Sequence, residues 1–295
     1  MTTPIESEAG SPWPVRVVSD LAEMVADGMQ ARSKGQSVVL VPTMGALHAG
    51  HVALLEEGRR RGDRLVLSIF VNPTQFAPHE DLAKYPRTLP QDLAKAAEAG
   101  VDLAFVPSAP TMYPPGHQTF VEVRELQKGL CGDKRPGHFV GVATVVAKLF
   151  NIVRPDIAIF GEKDFQQLAV IRRMNLDLNL GVEIIGLPTV REPDGLAMSS
   201  RNAYLAPPDR SRALALWRGL GAAKQAAAAG ERSGAVLIDR ALQVIKPAVD
   251  RLDYLELCDA TSLAPLTVLE DKRPAVLLVA AFVGGTRLID NVQIP

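Results

Sequence analysis

The chain has 295 residues, which is enough for two domains, and 47% apolar with 22% charged residues is the composition of an ordinary globular protein. Its 32 Lys and Arg residues nearly balance its 33 Asp and Glu residues, and the formal net charge is -1. This balance argues against attraction of the whole chain to nucleic acid or to an anionic membrane. The longest apolar run, Ala275 to Val283, is much shorter than the roughly 20 residues of a membrane-spanning helix. We therefore predict neither a nucleic-acid partner nor a membrane span.

Residues 1–14 lack the charged and apolar regions of a signal peptide, and we predict that they form a mobile tail. The two cysteines, Cys131 and Cys258, stand far apart without CxxC spacing. This spacing argues against a zinc site and gives no disulfide framework. Because free thiols suit a reducing compartment, we expect a cytoplasmic location.

From residue 37 onward, short β-branched runs alternate with amphipathic stretches, which is the pattern of βα units around a parallel sheet. The predicted strands cover residues 37–41, 65–70, 101–106, 157–160 and 182–187. The predicted helices cover residues 52–61, 91–99, 141–153 and 165–178. We predict an α/β fold with a doubly wound parallel sheet, in which ligands bind beyond the carboxyl ends of the strands.

The character of the sequence changes after Leu187, where a polar segment containing Pro and Gly runs to residue 208. Ala-rich helices are predicted over residues 210–229 and 235–249. Two or three strands follow, within residues 252–258, 275–283 and 286–292. This pattern predicts a smaller α+β domain, and we divide the chain into residues 1–188 and 189–295.

The sequence PTMGALHAGH, residues 42–51, directly follows the first predicted strand. Gly45 and Gly50 let the backbone approach a ligand, and His48 and His51 share one face where a helix begins. Because a helix N-terminus favours anions and imidazoles can donate to phosphate oxygens, the motif favours phosphate chemistry. The alternatives are a turn whose histidines only cap and pack, and a zinc site that lacks a third ligand nearby. The sequence contains no Walker A loop, and no GxGxxG follows this strand.

Two later segments carry charges that suit a nucleotide. In FGEKDFQQ, Lys163 supplies a point charge, and Asp164 either accepts from ribose, attracts magnesium or caps the next helix. In PTVREPDGLAMSSRNAYL, residues 188–205, two Ser hydroxyls precede the Arg201 fork. This arrangement suits a mobile triphosphate clamp, although an SSR tripeptide by itself is usually a solvated loop.

Two amide side chains suit a small polyhydroxylated acid. Gln75 lies in the loop NPTQF after the second predicted strand, and Gln167 follows the fourth. Amides can hydrogen-bond such an acid without forming an ion pair, and buried structural glutamines are the alternative. For His138, which comes at a helix start, lining the site and capping the helix are equally open.

These motifs together resemble one family. The matching stretches are PTMGALHAGH, VNPTQF, YPRT, RPGHFVGVATVVAKLFNIVRPD, FGEKDFQQL and PTVREPDGLAMSSRNAYL, with YLEL and RLIDN further on. HxGH alone also occurs in class I aminoacyl-tRNA synthetases and small nucleotidylyltransferases. HxGH, GEKD and MSSRN in this order are similar to the pantothenate synthetases, also called pantoate-β-alanine ligases. The resemblance implies a Rossmann-like sheet of the nucleotidylyltransferase and class I synthetase type, with the C-terminal domain as a lid.

The resemblance also implies a reaction in which ATP and pantoate form pantoyl adenylate and pyrophosphate, and β-alanine then displaces AMP to give pantothenate, a coenzyme A precursor. The implied catalytic residues are His48, His51, Lys163 and Arg201, with His51 as the proton donor. The implied ATP contacts are Met44, Gly45, Ala46, Leu47, His48, Ala49, Gly50, His51, Gly161, Glu162, Lys163, Asp164, Val190, Met198, Ser199, Ser200 and Arg201. The implied pantoate contacts are Gln75 and Gln167, Asp92 is the implied Mg²⁺ position, and the family is homodimeric.

Two other functions are compatible with the same residues. A nucleotidylyltransferase of the same fold leaves AMP attached to its product, whereas a ligase releases AMP. An ATP-sensing module binds ATP but exchanges no pyrophosphate. A tRNA synthetase is disfavoured by the near-neutral charge and by the lack of an evident anticodon-binding appendage.

Overall fold

The computed structural model describes residues 15–77 and 80–294, which fall into two compact units. Unit 1 contains the described part of Met1–Val123, with Arg135–Gly161 and Val170–Leu187. Unit 2 contains Arg124–Lys134, Glu162–Ala169 and the described part of Pro188–Pro295. Unit 2 thus includes two segments that the sequence analysis places in the first domain. The predicted tail over residues 1–14 lies outside the described residues, and the roles assigned to the two domains stay predictions.

Unit 1 is built around a parallel sheet whose central strands are apolar on both faces. Within the described residues, the sheet has six strands in the order β1-β4-β3-β2-β5-β6. The strands are β1 (Arg16–Val18), β2 (Val38–Thr43), β3 (Arg64–Ile69), β4 (Leu103–Phe105), β5 (Ile157–Gly161) and β6 (Glu183–Leu187). Val38 to Val41 are at most 1% exposed, as expected for a strand covered on both faces.

The order of the strands reverses between β2 and β5, which pair in parallel with Val39 opposite Ile157. From β2 the chain builds outward through β3 and β4, and then adds β5 and β6 on the other side. The carboxyl ends of β2 and β5 therefore lie where doubly wound sheets bind ligands. The predicted sheet is confirmed, but β1 was missed, because three residues are too few to show a period.

Seven α-helices accompany the described part of residues 15–187. They are α1 (Leu21–Ser33), α2 (Ala49–Arg61), α3 (Leu89–Glu98), α4 (Ala109–Met112), α5 (Leu130–Lys134), α6 (His138–Val153) and α7 (Phe165–Asp177). Helix α2 begins at Ala49, earlier than its predicted start at residue 52, because His48 caps it. Helix α6 also begins early, at His138, after Gly137 in the left-handed conformation. Helices α1, α4 and α5 were not predicted from the sequence.

Unit 2 contains an antiparallel sheet, with three strands in the described residues in the order β7-β8-β9. Its strands and long helices are α8 (Pro207–Ala228), α9 (Gly234–Ile245), β7 (Arg251–Asp259), β8 (Ala275–Val283) and β9 (Thr286–Ile294). One face of the sheet packs residues such as Leu257 and Val292 against Leu220 of α8 and Leu237 of α9. The smaller α+β architecture is thus confirmed. Among the described helices, none has the length and apolar character needed to span a bilayer.

Candidate active site

The loop after β2 makes a tight turn before α2 begins. Gly45 has φ 83° and Ala46 has φ 51°, so two successive residues are left-handed. A Cβ atom on Gly45 would lie 3.1 Å from Asp92 Oδ2 and 3.2 Å from Ile69 Cγ2. Both the backbone conformation and the lack of space therefore require glycine at this position. The turn brings the chain from the end of β2 to the N-cap of α2.

His48 and His51 cap α2 reciprocally. His48 Nδ1 accepts from the backbone N–H of Gly50 at 3.1 Å, and His51 Nδ1 accepts from the backbone N–H of His48 at 3.3 Å. The two rings stack with their centroids 4.0 Å apart. Because each Nδ1 accepts a hydrogen bond, each neutral ring carries its proton on Nε2. Both histidines therefore cap the helix, and this geometry is compatible with a further role for Nε2–H in the predicted phosphate chemistry.

Asp92, in the first turn of α3, anchors this loop. Its carboxylate accepts from Ala46 N at 2.9 Å, from Leu47 N at 2.7 Å and from Thr88 Oγ1 at 3.2 Å. Lys95 Nζ donates to Leu47 O. This contact was not predicted, because nothing local to residue 92 reveals a backbone partner more than 40 residues away.

The carboxylate of Asp92, the predicted magnesium position, is already engaged by the protein. Its side chain is buried, at 1% exposure, and both oxygens already accept N–H and O–H donors. No group of three or more His, Cys, Asp or Glu side chains suited to a metal occurs among the described residues. Mg²⁺ is often held mainly by water and substrate phosphates, with few ligands from the protein. The assignment of magnesium to Asp92 stays a prediction.

Gln75 lies beside the same loop. Asn72, at 1% exposure, donates from Nδ2 to Gln75 Oε1 and to Gly141 O, each at 3.1 Å. Gln75 Nε2 lies 3.0 Å from Met44 Sδ. Tyr113 donates its hydroxyl to Asn72 Oδ1 at 2.9 Å, and burial raises the pKa of that phenol. Unit 1 therefore brings the predicted pantoate amide next to the predicted ATP loop.

An ion pair and a histidine fix the Gln75 loop to the start of α6. Arg135 bonds Glu80 through Nε at 2.6 Å and through a terminal nitrogen at 2.7 Å. His138 Nδ1 donates to Gln75 O at 2.9 Å, so His138 Nε2 accepts from Arg135 at 3.1 Å. Burial alone would raise the pKa of Glu80, but the hydrogen bonds and charge of Arg135 outweigh it and lower that pKa. His138 thus anchors the loop, and neither Glu80 nor Arg135 was singled out from the sequence.

In unit 2, the GEKD segment forms a short 3₁₀ turn, Glu162–Asp164, before α7. Lys163 Nζ lies 3.7 Å from Asp164 Oδ2, and the Lys163 side chain is 19% exposed. Gln167 is half-buried in the first turn of α7, whereas its neighbour Gln166 is buried and bonds the backbone of residues 126–131. Gln166 is thus the structural glutamine of this pair.

The segment after β6 folds back on itself. Met198 N donates to Val190 O at 3.0 Å, which places these two predicted ATP contacts side by side. Ser199 caps the 3₁₀ helix Ser200–Tyr204 by accepting from Arg201 N at 3.2 Å. The segment thus forms a hairpin, residues 190–198, followed by the short helix that carries the predicted clamp residues Ser200 and Arg201.

A second set of polar contacts ties this hairpin to α8. Glu192 accepts from Asn202 Nδ2 at 2.7 Å and from Arg210 at 2.6 Å. The hydrogen bond from Arg210 is the main reason that the pKa of Glu192 is lowered. Asp194 also pairs with Arg210, at 2.8 Å. The hairpin is thus tied through Asn202 to the turn that carries Arg201 and through Arg210 to α8.

Comparison with known proteins places this geometry in a family. The family model described as pantoate-beta-alanine ligase matches residues 16–293. The chain belongs to the pantoate-β-alanine ligase family. The pantothenate synthetase of Myxococcus xanthus is 54% identical, with 96% of this chain and 97% of that protein covered. Pantothenate synthetase 1 of Bradyrhizobium diazoefficiens is 55% identical, with 94% and 98% covered.

Solved structures of other pantoate-β-alanine ligases share the fold. The pantothenate synthetase of Thermus thermophilus is 45% identical, with a TM-score of 0.89 over 95% of this chain and all of that one. The ligase of Francisella tularensis, solved in complex with β-γ ATP and β-alanine, is 33% identical, with a TM-score of 0.77 and coverage of 94% and 96%. The predicted function is confirmed: the chain is an enzyme that ligates pantoate and β-alanine.

Proposed function

We propose that this ligase works through a pantoyl adenylate. A carboxylate oxygen of pantoate attacks the α-phosphorus of ATP, and the bond from that phosphorus to the bridging oxygen breaks to release pyrophosphate. The amine of β-alanine then attacks the acyl carbon, and AMP leaves with the electron pair of the acyl C–O bond. Loss of one amine proton completes pantothenate. The ATP-analogue and β-alanine complex of the Francisella tularensis relative supports both substrates.

The observation that carries this proposal is the pair of imidazoles that cap the N-terminus of α2. Their Nδ1 atoms accept backbone N–H groups, so their Nε2–H groups are donors in a fixed geometry. A helix N-terminus adds a partial positive charge. These features stabilise the negative charge that grows on pyrophosphate as it departs, and this stabilisation lowers the barrier to adenylation. We assign His51 as the proton donor, with His48 beside it.

Lys163 and Arg201 complete the proposed set of phosphate donors, one as a compact ammonium and one as a planar fork. The remaining proposed ATP contacts are Met44, Gly45, Ala46, Leu47, Ala49, Gly50, Gly161, Glu162, Asp164, Val190, Met198, Ser199 and Ser200. We propose that Gln75 and Gln167 bind pantoate, and the contact of Gln75 with Met44 supports the first of these. Magnesium, where it takes part, is proposed to enter with the phosphates of ATP.

We further propose that the enzyme acts as a cytoplasmic homodimer. The two cysteines are free thiols in the structure, which suits a reducing compartment. The dimer rests on the family resemblance alone, and a sedimentation measurement of the intact protein tests it.

Exchange of labelled pyrophosphate into ATP tests the adenylate. In the absence of β-alanine, we expect exchange that requires pantoate, because only a reversible adenylation returns label to ATP. With β-alanine added, free AMP should form in a one-to-one ratio with pantothenate. Exchange that proceeds without pantoate, or a product that retains AMP, would exclude the ligase mechanism and favour a nucleotidylyltransferase. Binding of ATP with no exchange would favour an ATP-sensing module.

A further inference from the structure

Two neighbouring residues of β9, Asp290 and Asn291, each hold one of the proposed ATP segments of unit 2. Both side chains are buried, at 4% and 7% exposure. Because successive side chains of a strand point to opposite faces, the two reach opposite sides of the sheet. Asp290 lies on the face that carries Leu288 and Val292, which belong to the apolar core shared with α8 and α9.

Asp290 fixes the hairpin through Arg191. The two terminal nitrogens of Arg191 donate to the two carboxylate oxygens at 2.7 and 2.8 Å. Arg191 also lies over the Trp217 ring, 3.7 Å from its centroid, and donates to Gly195 O at 3.1 Å. Arg191 directly follows Val190, whose carbonyl pairs with Met198. The bidentate pair therefore sets the position of the hairpin base.

The turn of the hairpin packs closely against the same Trp217 ring. Gly195 has φ 100°, and a Cβ atom there would lie 2.5 Å from Trp217 Cδ1. The guanidinium is thus enclosed by an indole face, a carboxylate and a backbone turn. These contacts restrict the orientation of Arg191.

Asn291 fixes the GEKD turn. Its Nδ2 donates to Glu162 O at 2.9 Å and to Lys163 O at 3.0 Å, so both amide hydrogens are used. These carbonyls belong to the short 3₁₀ turn that carries the Lys163 side chain. The position of Lys163 is therefore set by the side chain of one residue on β9.

We infer that Asp290 and Asn291 are positioning residues for adenylation. Together they attach the GEKD turn and the hairpin to neighbouring positions of β9. The Cα atoms of neighbouring residues are about 3.8 Å apart, and covalent geometry fixes this distance. The two segments are therefore attached at points whose separation does not change. A buried carboxylate on an apolar face costs desolvation energy that an apolar residue avoids. Here the ion pair of Asp290 with Arg191 fixes the position of the hairpin. The inference rests on the proposed ATP contacts, because neither residue is assigned to touch a substrate.

The test uses Asn291→Ala and Asp290→Asn in the full-length enzyme, with pyrophosphate exchange as the assay. Loss of two hydrogen bonds at Lys163 should raise the KM for ATP by about 10-fold and lower kcat. The KM for pantoate should change less than about 2-fold. A global loss of fold would instead alter the kinetic constants for both substrates alike. Gln293→Ala is the matched control, since Gln293 lies on the same face as Asn291 and its Nε2 donates to the Glu162 side chain, at 3.3 Å. The control should behave as the unaltered enzyme.

A double-mutant cycle with Lys163→Ala separates positioning from stability. If Asn291 acts through Lys163, Asn291→Ala will have little further effect on exchange in the Lys163→Ala background. Effects that multiply would overturn the inference, as would an unaltered KM for ATP in Asn291→Ala. If Asn291→Ala fails to fold, Asn291→Gln keeps the amide one methylene away, and an unaltered KM for ATP in that folded variant would also overturn the inference. Normal exchange in Lys163→Ala itself would instead overturn the proposed ATP contact.

Discussion

At the scale of single residues, the two nitrogens of His51 have separate tasks. Nδ1 completes the cap of α2, and Nε2–H is the proposed donor to the departing pyrophosphate. An asparagine at this position keeps an acceptor near the place of Nδ1 but presents no donor at the place of Nε2. We therefore expect His51→Asn to retain the thermal stability of the unaltered enzyme and to adenylate pantoate about 100-fold more slowly.

His51→Ala is the matched comparison, because it removes the cap and the donor together. Its adenylation rate should fall at least as far, and its Tm should fall as well, since losing a cap costs about 1 kcal/mol. Rapid-quench measurement of pantoyl adenylate and thermal unfolding give the two values. An adenylation rate in His51→Asn near that of the unaltered enzyme would remove His51 from the mechanism.

Asp92 offers a second test at this scale, because its two proposed roles predict different outcomes. As the anchor of the ATP loop, it should affect the KM for ATP, and Asp92→Asn should raise that KM by about 10-fold through weaker bonds to Ala46 and Leu47. The Mg²⁺ concentration for half-maximal activity, measured at saturating ATP, should stay the same. Glu98→Gln, an exposed change later in α3, is the control. A large shift in the Mg²⁺ requirement with an unaltered KM for ATP would restore the magnesium role.

At the scale of elements, the contact between Glu80 and Arg135 joins the Gln75 loop to α6. Since the pKa of Glu80 is lowered in the folded chain, the pair stabilises the fold fully above the ordinary value of 4.5. Its contribution is lost as the pH falls through the lower, folded-state pKa. Glu80→Gln should therefore cost about 1 kcal/mol at pH 7, the amount expected of a partly screened pair, and progressively less below pH 4.5.

Urea unfolding across a pH series measures this difference. Glu125→Gln is the control, because Glu125 and Lys128 form an exposed pair that should contribute little at any pH. A Glu80→Gln penalty that stays constant from pH 7 to pH 3 would show that the charge of Glu80 plays no part in fixing the loop.

At the scale of the whole molecule, the sequence predicted those features that depend on local patterns. The strand, turn and helix around His48 are contiguous, so periodicity and glycine spacing locate them. The anchors of the site depend on contacts between distant positions. Asp92 bonds the loop of Ala46, and Asn291 bonds the turn of Lys163, and no window of sequence contains both members of either pair. The resemblance to the ligase family supplied the reaction, which residue chemistry alone left open between ligation and nucleotide transfer.

The division of the chain shows the same limit. A boundary drawn along the sequence assigns residues 124–134 to the first domain, but in the structure they belong to unit 2. Gln166 donates to the carbonyls of Leu126 and Lys128, and Tyr254 and Arg287 both contact Cys131 Sγ. A segment held by side chains from later in the chain cannot be recognised by its own composition.

The reactivity of the two thiols tests whether the chain unfolds locally along the boundary drawn from the sequence or along the two units of the structure. Cys131 and Cys258 are both buried, and burial raises the pKa of Cys258 to about 12. Both thiols should therefore resist an aromatic disulfide reagent until the structure around them unfolds locally. The variant Cys258→Ser reports the labelling rate of Cys131, and Cys131→Ser reports that of Cys258. If residues 124–134 unfold together with unit 2, the two labelling rates should match at every urea concentration. Ala104→Cys, in a buried strand of unit 1 and with both native cysteines replaced by serine, supplies a probe that should open at a different rate. A rate for Cys131 that follows Ala104→Cys and departs from Cys258 would support the boundary drawn along the sequence and contradict the two units.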